Sequence, residues 1–284
     1  MKLGIRAHDL GRDSPEKLAQ LIADANFQSV QLVLNKAVVY ETDEPYILCD
    51  SVVTAVSKSL KERNIEVAML GAYFNPIHSN KEKVKNAVDN FKFHLQQAKK
   101  FHTNLVGTET GSYNDDQWTY HELNSSEEAF NEVKRVFEQI LIVAKEENAY
   151  LAIEPAYHHV ISTPTRLKRL INELNHSHIQ VTFDLFNLLY EGNYDQQHQI
   201  IDEMIDLFKD KISIVHAKDF IVEEGKLKQV APGKGWLDYP YLFKKLQSLA
   251  NEPVIIFEGV TGEDIEFSRL FIKNLAHHLE NHSL

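Results

Sequence analysis

Three carboxylates and one imidazole stand out by type and spacing: Glu154, Asp184, His216 and Glu258. Each closes a short apolar, β-branched run: Leu-Ala-Ile-Glu at 151–154, Gln-Val-Thr-Phe-Asp at 180–184, Ile-Ser-Ile-Val-His at 212–216 and Val-Ile-Ile-Phe-Glu at 254–258. The four residues are 30, 32 and 42 positions apart, each gap about one strand–helix–strand unit. At the same ends of four successive parallel strands they would converge on one point. Converging carboxylates repel unless a cation or a shared proton compensates. A single glutamate at a strand end is more often half of a salt bridge; four equivalent ends together point to one divalent metal ion. The donor set is hard and oxygen-rich, which suits manganese first, and also magnesium, cobalt or zinc.

A divalent ion that engages a carbonyl and a neighbouring hydroxyl acidifies the C–H between them and stabilises the enediolate that forms. A carboxylate on either side can remove and return the proton. Glu154 and Glu258, on the runs that flank those of Asp184 and His216, are the expected catalytic pair. The outcome would be an epimer or an aldose–ketose isomer; loss of a β-hydroxyl from the same species would be dehydration.

Such residues need a scaffold that repeats. Strand-like runs fall near 3–7, 28–34, 65–70, 104–108, 150–154, 179–184, 212–216 and 254–257, about 36 residues per unit over 284 residues. That predicts α/β architecture as a single (β/α)8 TIM barrel spanning 1–284. An open doubly wound sheet would carry a glycine-rich phosphate loop after its first strand, and Arg6-Ala7-His8-Asp9-Leu10-Gly11 is not one. Ser14-Pro15 and Thr163-Pro164 read as helix starts, and Ser79-x-x-Glu82 and Ser125-x-x-Glu128 as capping boxes. Apolar stripes at helical spacing follow: Leu18, Leu21, Ile22 and Ala25; Phe130, Val133, Phe137, Ile140, Leu141 and Ala144; and Phe267, Leu270, Phe271 and Leu275. Residues 109–124 and 219–238 read as long loops after strand ends, where loops close over sites.

Composition bounds the partners. With 43% hydrophobic and 25% charged residues the chain is an ordinary globular one. A formal net charge of −11 makes nucleic acid an unexpected partner. One cysteine, Cys49, excludes an intrachain disulfide, and no signal-peptide-like or membrane-spanning run occurs, so a cytoplasmic protein is expected.

The chain resembles the xylose isomerase-like barrel superfamily of sugar isomerases and epimerases, inosose dehydratases and endonuclease IV-type (AP endonuclease) enzymes. Ala152-Ile153-Glu154-Pro155, Phe183-Asp184-Leu185-Phe186-Asn187, Val215-His216-Ala217-Lys218-Asp219 and Phe257-Glu258-Gly259 carry the resemblance. Gly107-Thr108-Glu109-Thr110-Gly111 and Gly233-Lys234-Gly235-Trp236-Leu237-Asp238 extend it. It implies metal ligation by Glu154, Asp184, His216 and Glu258, and substrate contacts from Glu109, Asn187 and Lys218. His159, in the loop after Glu154, is a further candidate for substrate binding. Asn187 and Lys218 stand where ketose 3-epimerases usually carry His and Arg. Asp219 is expected to orient Lys218 or His216, and Arg6 to pair with a neighbouring carboxylate. The resemblance also implies a small-molecule sugar or polyol substrate and a homo-oligomer. Four activities follow: isomerase or epimerase first, then inosose-type dehydratase, phosphodiesterase at abasic sites, and a sugar-binding barrel without turnover.

Overall fold

The computed structural model describes residues 1–39 and 49–281. Eight parallel strands close into a barrel: β1 (Lys2–Arg6), β2 (Ser29–Leu32), β3 (Glu66–Gly71), β4 (Leu105–Thr108), β5 (Tyr150–Ile153), β6 (Ile179–Asp184), β7 (Ile212–Ala217) and β10 (Val254–Phe257). Pairing runs in chain order, and β10 returns to β1, so no barrel edge is left open. Each strand lies within one or two residues of its predicted run. The fold is thus a (β/α)8 barrel.

The main surrounding helices are α1 (Pro15–Asp24), α3 (Asp50–Lys61), α4 (Lys81–Gln97), α5 (Glu127–Glu146), α6 (Pro164–Leu174), α8 (Gln197–Phe208), α9 (Tyr239–Leu246) and α10 (Asp264–Asn281); α2 (Leu34–Ala37) and α7 (Leu185–Leu188) are single turns. Their apolar faces and the outward side of the strands form one continuous core. A smaller cluster of Met69, Leu105, Ala152, Ile214 and Ile256 fills the barrel interior. Two residues along the strand from Ala152, Ile214 and Ile256 come Glu154, His216 and Glu258. Alternation therefore sets the polar residues on an apolar floor.

The proline-marked helix starts hold: Ser14 Oγ accepts from Lys17 N and Thr163 Oγ1 from Arg166 N. Both capping boxes are displaced by one residue. Ser79 is held by Asp115 through its N–H and hydroxyl, so Asn80 caps α4, its Oδ1 accepting from Glu82 N and Lys83 N. Ser125 Oγ donates to Glu122 O in a preceding 3-10 turn, so Ser126 caps α5 by accepting from Ala129 N. The stripe expected on the last helix is also rotated. Ser268 and Ile272 are buried, while Phe267 and Leu270 are each 45% exposed, Phe267 lying beneath the Lys234 ammonium.

The expected loop 219–238 contains an antiparallel hairpin, β8 (Asp219–Glu223) with β9 (Lys226–Val230). Glu224 and Gly225 turn it, both at positive φ (52° and 76°), the geometry of a two-residue hairpin turn. Among the described residues, no helix is long and apolar enough to cross a membrane.

Candidate metal centre

Strand ends bring the four predicted residues together. Asp184 pairs in register with His216 across β6 and β7, and Ile256 with His216 across β7 and β10. Glu154 and Glu258 sit one position beyond β5 and β10. His216 Nδ1 lies 3.0 Å from Glu258 Oε2, 3.3 Å from Glu154 Oε1 and 3.4 Å from Asp184 Oδ2. One donor atom from each of the four lies within 4.8 Å of all the others. That spread fits a single ion at donor distances of about 2.0–2.6 Å.

The hydrogen bonding around the cluster supports the same fit. His216 Nδ1 and Asp184 Oδ2 are buried and make no aligned hydrogen bond. On the far side of the ring, His216 Nε2 donates to Gln31 Oε1 at 2.6 Å. Gln31 thereby holds a proton on Nε2, so that Nδ1, which faces the three carboxylates, is the nitrogen that would give up its proton to ligate an ion. Gln31 Nε2 donates to Tyr73 Oη at 2.8 Å, and the Tyr73 hydroxyl reaches Glu154 Oε2 at 3.3 Å. A chain of hydrogen bonds thus runs from His216 to Glu154 behind the donor set. Replacing Gln31 by Leu should weaken metal binding by about 10–100-fold, with turnover restored at saturating metal. A metal titration of Q31L that matches the parent protein would remove this role from Gln31.

Two cations balance the carboxylates. Lys218 Nζ lies 2.8 Å from both Asp184 Oδ2 and Glu258 Oε1, and donates to Asn187 Oδ1 at 3.1 Å. Half-buried Arg6 reaches Glu258 Oε1 at 2.7 Å and Asp9 at 2.7 Å, the carboxylate pairing expected of it. Glu258 therefore divides its oxygens, Oε1 to the cations and Oε2 to His216. Burial alone would raise the Glu258 carboxyl, but Lys218 and His216 hold it well below the usual range. Burial likewise opposes charge on His216, yet Glu154 and Glu258 hold its pKa well above the ordinary value.

The substrate-contact candidates take two kinds of position. Glu109 lines a cavity of about 240 Å3 over the cluster, with Arg6, His8, Tyr73, Trp118, Glu154 and Glu258 among its walls. Burial, with Glu154 and Glu258 nearby, raises its carboxyl well above the usual range. Asn187 and Lys218 lie among the donors instead, Asn187 Nδ2 donating to Glu154 Oε1 at 2.7 Å. His159 is buried behind the wall, edge-on to Trp118 at 5.4 Å, with Nδ1 at 3.9 Å from Glu109; burial lowers its pKa to about 4. Of the loop aromatics, Trp118 reaches the cavity, whereas Tyr120 stacks on Tyr157 and Trp236 packs on Phe220.

Asp219 does not orient Lys218 or His216. Its carboxylate accepts backbone N–H groups from Phe220, Gly233, Gly235 and Leu237 at 2.8–3.0 Å. This explains the two glycines. Gly233 has φ +88°, and a Cβ on Gly235 would meet Asp219 Oδ1 and Phe220 O at 2.3 Å. Asp238 completes the motif by capping α9 through Tyr241 N.

Residues 19–275 match the family described as xylose isomerase-like TIM barrel, and the chain belongs to that family. A D-tagatose 3-epimerase-like protein superposes over 100% of both chains with a TM-score of 0.78 at 17% identity. The IolI protein with a bound zinc atom gives 0.73 over 100% of both chains at 17% identity. L-ribulose 3-epimerase gives 0.73 over 100% of this chain and 99% of its own at 12% identity. These likenesses establish the shared fold. No curated protein matches the chain in sequence.

Proposed function

We propose that the protein is a divalent-metal-dependent isomerase or epimerase of a sugar or sugar derivative. The supporting observation is the donor cluster itself: three carboxylates facing a buried imidazole whose Nδ1 has no aligned hydrogen bond and whose Nε2 proton is held by Gln31. The epimerases of the same fold, and the zinc carried by the IolI protein, agree with this reading. A bound divalent ion, manganese first and magnesium, cobalt or zinc after it, would supply Lewis acidity at a carbonyl and its neighbouring hydroxyl.

The chain's own residues do the rest. Glu154 and Glu258 flank Asp184 and His216 and exchange the carbon-bound proton from either side. The Tyr73 hydroxyl and the Asn187 amide fix the Glu154 oxygens, and Arg6 and Lys218 fix those of Glu258. Glu109, whose carboxyl is pushed up by burial and by Glu154 and Glu258, meets a substrate hydroxyl from the cavity wall. The neutral His159 imidazole supports Trp118 in that wall. A cavity of about 240 Å3 edged by Glu109, Glu154 and Glu258 suits a small polyol and disfavours a phosphate backbone. The single cysteine suits a reducing, cytoplasmic setting.

Incubation of the manganese-loaded protein with ketoses, aldoses and inososes in D2O tests this reading. At least one sugar should take up deuterium beside its carbonyl and yield a new stereoisomer or the aldose–ketose partner. A conjugated chromophore would instead make the protein a dehydratase on the same site. Absence of any exchange across the panel would contradict both.

A further inference from the structure

A larger cleft of about 420 Å3 adjoins the central cavity and shares Val33, Lys36, Tyr73 and Trp118 with it. Its far wall is α4, which presents Asn86 and Asn90 four residues apart and so on one face. Asparagine is a poor helix former compared with alanine. Neither side-chain amide has a hydrogen-bond partner among the described residues. Asn86 is exposed and Asn90 half-buried, so both amides are open to a ligand in the cleft.

The chemistry of the walls selects the ligand. Amides donate and accept at once, as vicinal hydroxyls do. Trp118, Tyr73 and Phe74 add aromatic surface for C–H faces. Of the cations on the cleft, Lys83 is paired with Asp116, and Lys36 lies at the junction with the central cavity. The central cavity alone is also smaller than the roughly 300–1,000 Å3 of most small-molecule sites; with the cleft it falls within that range.

We propose that the cleft against α4 is a second carbohydrate subsite. The substrate is then a keto sugar bearing a polyhydroxylated substituent, a glycosyl ring by class, with its reacting part over the donor cluster. This rests on the function proposed above for that centre. Isothermal titration of the manganese-loaded protein with D-fructose, and with lactulose, maltulose and isomaltulose, tests it, because each disaccharide is a fructose carrying a second ring. At least one disaccharide should bind about tenfold or more tightly than fructose. In an Asn86→Ala/Asn90→Ala variant, whose new residues favour the helix, that ratio should fall to within about twofold of one. Equal binding of all four sugars, no binding of any, or a ratio unchanged in the double variant would overturn the subsite. The two ideas fail separately. A disaccharide preference without deuterium exchange, and unaffected by removing the metal, keeps the subsite and rejects the isomerase. Exchange into fructose without a disaccharide preference does the reverse.

Discussion

Glu258→Gln and Glu154→Gln are each expected to lower turnover by at least about 10^3-fold at saturating metal, with the fold retained. Removal of a general acid–base alone costs about 10^2–10^4-fold, and each residue is also a candidate ligand. The fold should survive because the neighbours keep other partners. Lys218 retains Asp184 at 2.8 Å and Arg6 retains Asp9 at 2.7 Å when Glu258 is lost. In the Glu154 variant, Asn187 Nδ2 can still donate to the Gln carbonyl oxygen. Steady-state rates over a metal series, beside thermal unfolding, separate lost affinity from lost chemistry. Turnover within tenfold of the parent protein in either variant would remove that residue from proton transfer.

Asp219→Ala should be the most damaging substitution outside the cluster. The buried carboxylate satisfies four backbone N–H groups, that of Phe220 in β8 and those of Gly233, Gly235 and Leu237 in the loop that follows the hairpin. A buried donor left unpaired costs about 1–3 kcal/mol, so four of them, partly rescued by water, correspond to a loss of about 4 kcal/mol. For a chain of this size, that corresponds to a Tm lower by roughly 8 °C. Asp219→Asn should fall between the two, because one amide oxygen can accept from part of the set while the NH2 group opposes the rest. The loop also leads into α9, where the Tyr239 hydroxyl donates to Lys218 O at 2.7 Å, so its loosening reaches the donor cluster. A Tm drop of less than about 2 °C in Asp219→Ala would show that the loop holds itself.

The donor cluster was legible because a carboxylate or imidazole that ends a mostly apolar strand is anomalous, and four such ends share one period. What sets His216 in position was not. Gln31 is one amide in the short strand Ser29–Leu32, and only its inward register makes it significant. Tyr73 lies two residues beyond β3, where no periodicity remains to say which way it faces. The hairpin was hidden inside a segment read as loop; the adjacent Glu224 and Gly225 were its sole turn signal. Helix starts were displaced by one residue where a neighbouring group competed for the serine, as Asp115 does for Ser79. Asp219 shows a further limit. Its place beside Lys218 in the chain suggested a partner in the site, but three of its four contacts are with backbone 14–18 residues away.

The most direct test is the metal content of the purified protein by mass spectrometry, beside a His216→Ala variant. The donor cluster implies about one equivalent of a divalent ion per chain, lost or sharply reduced when the imidazole is removed. A parent protein that takes up no metal after incubation with manganese, cobalt and zinc would contradict the account. Glu154, Asp184, His216 and Glu258 would then be an ion-pair network closed by Lys218 and Arg6.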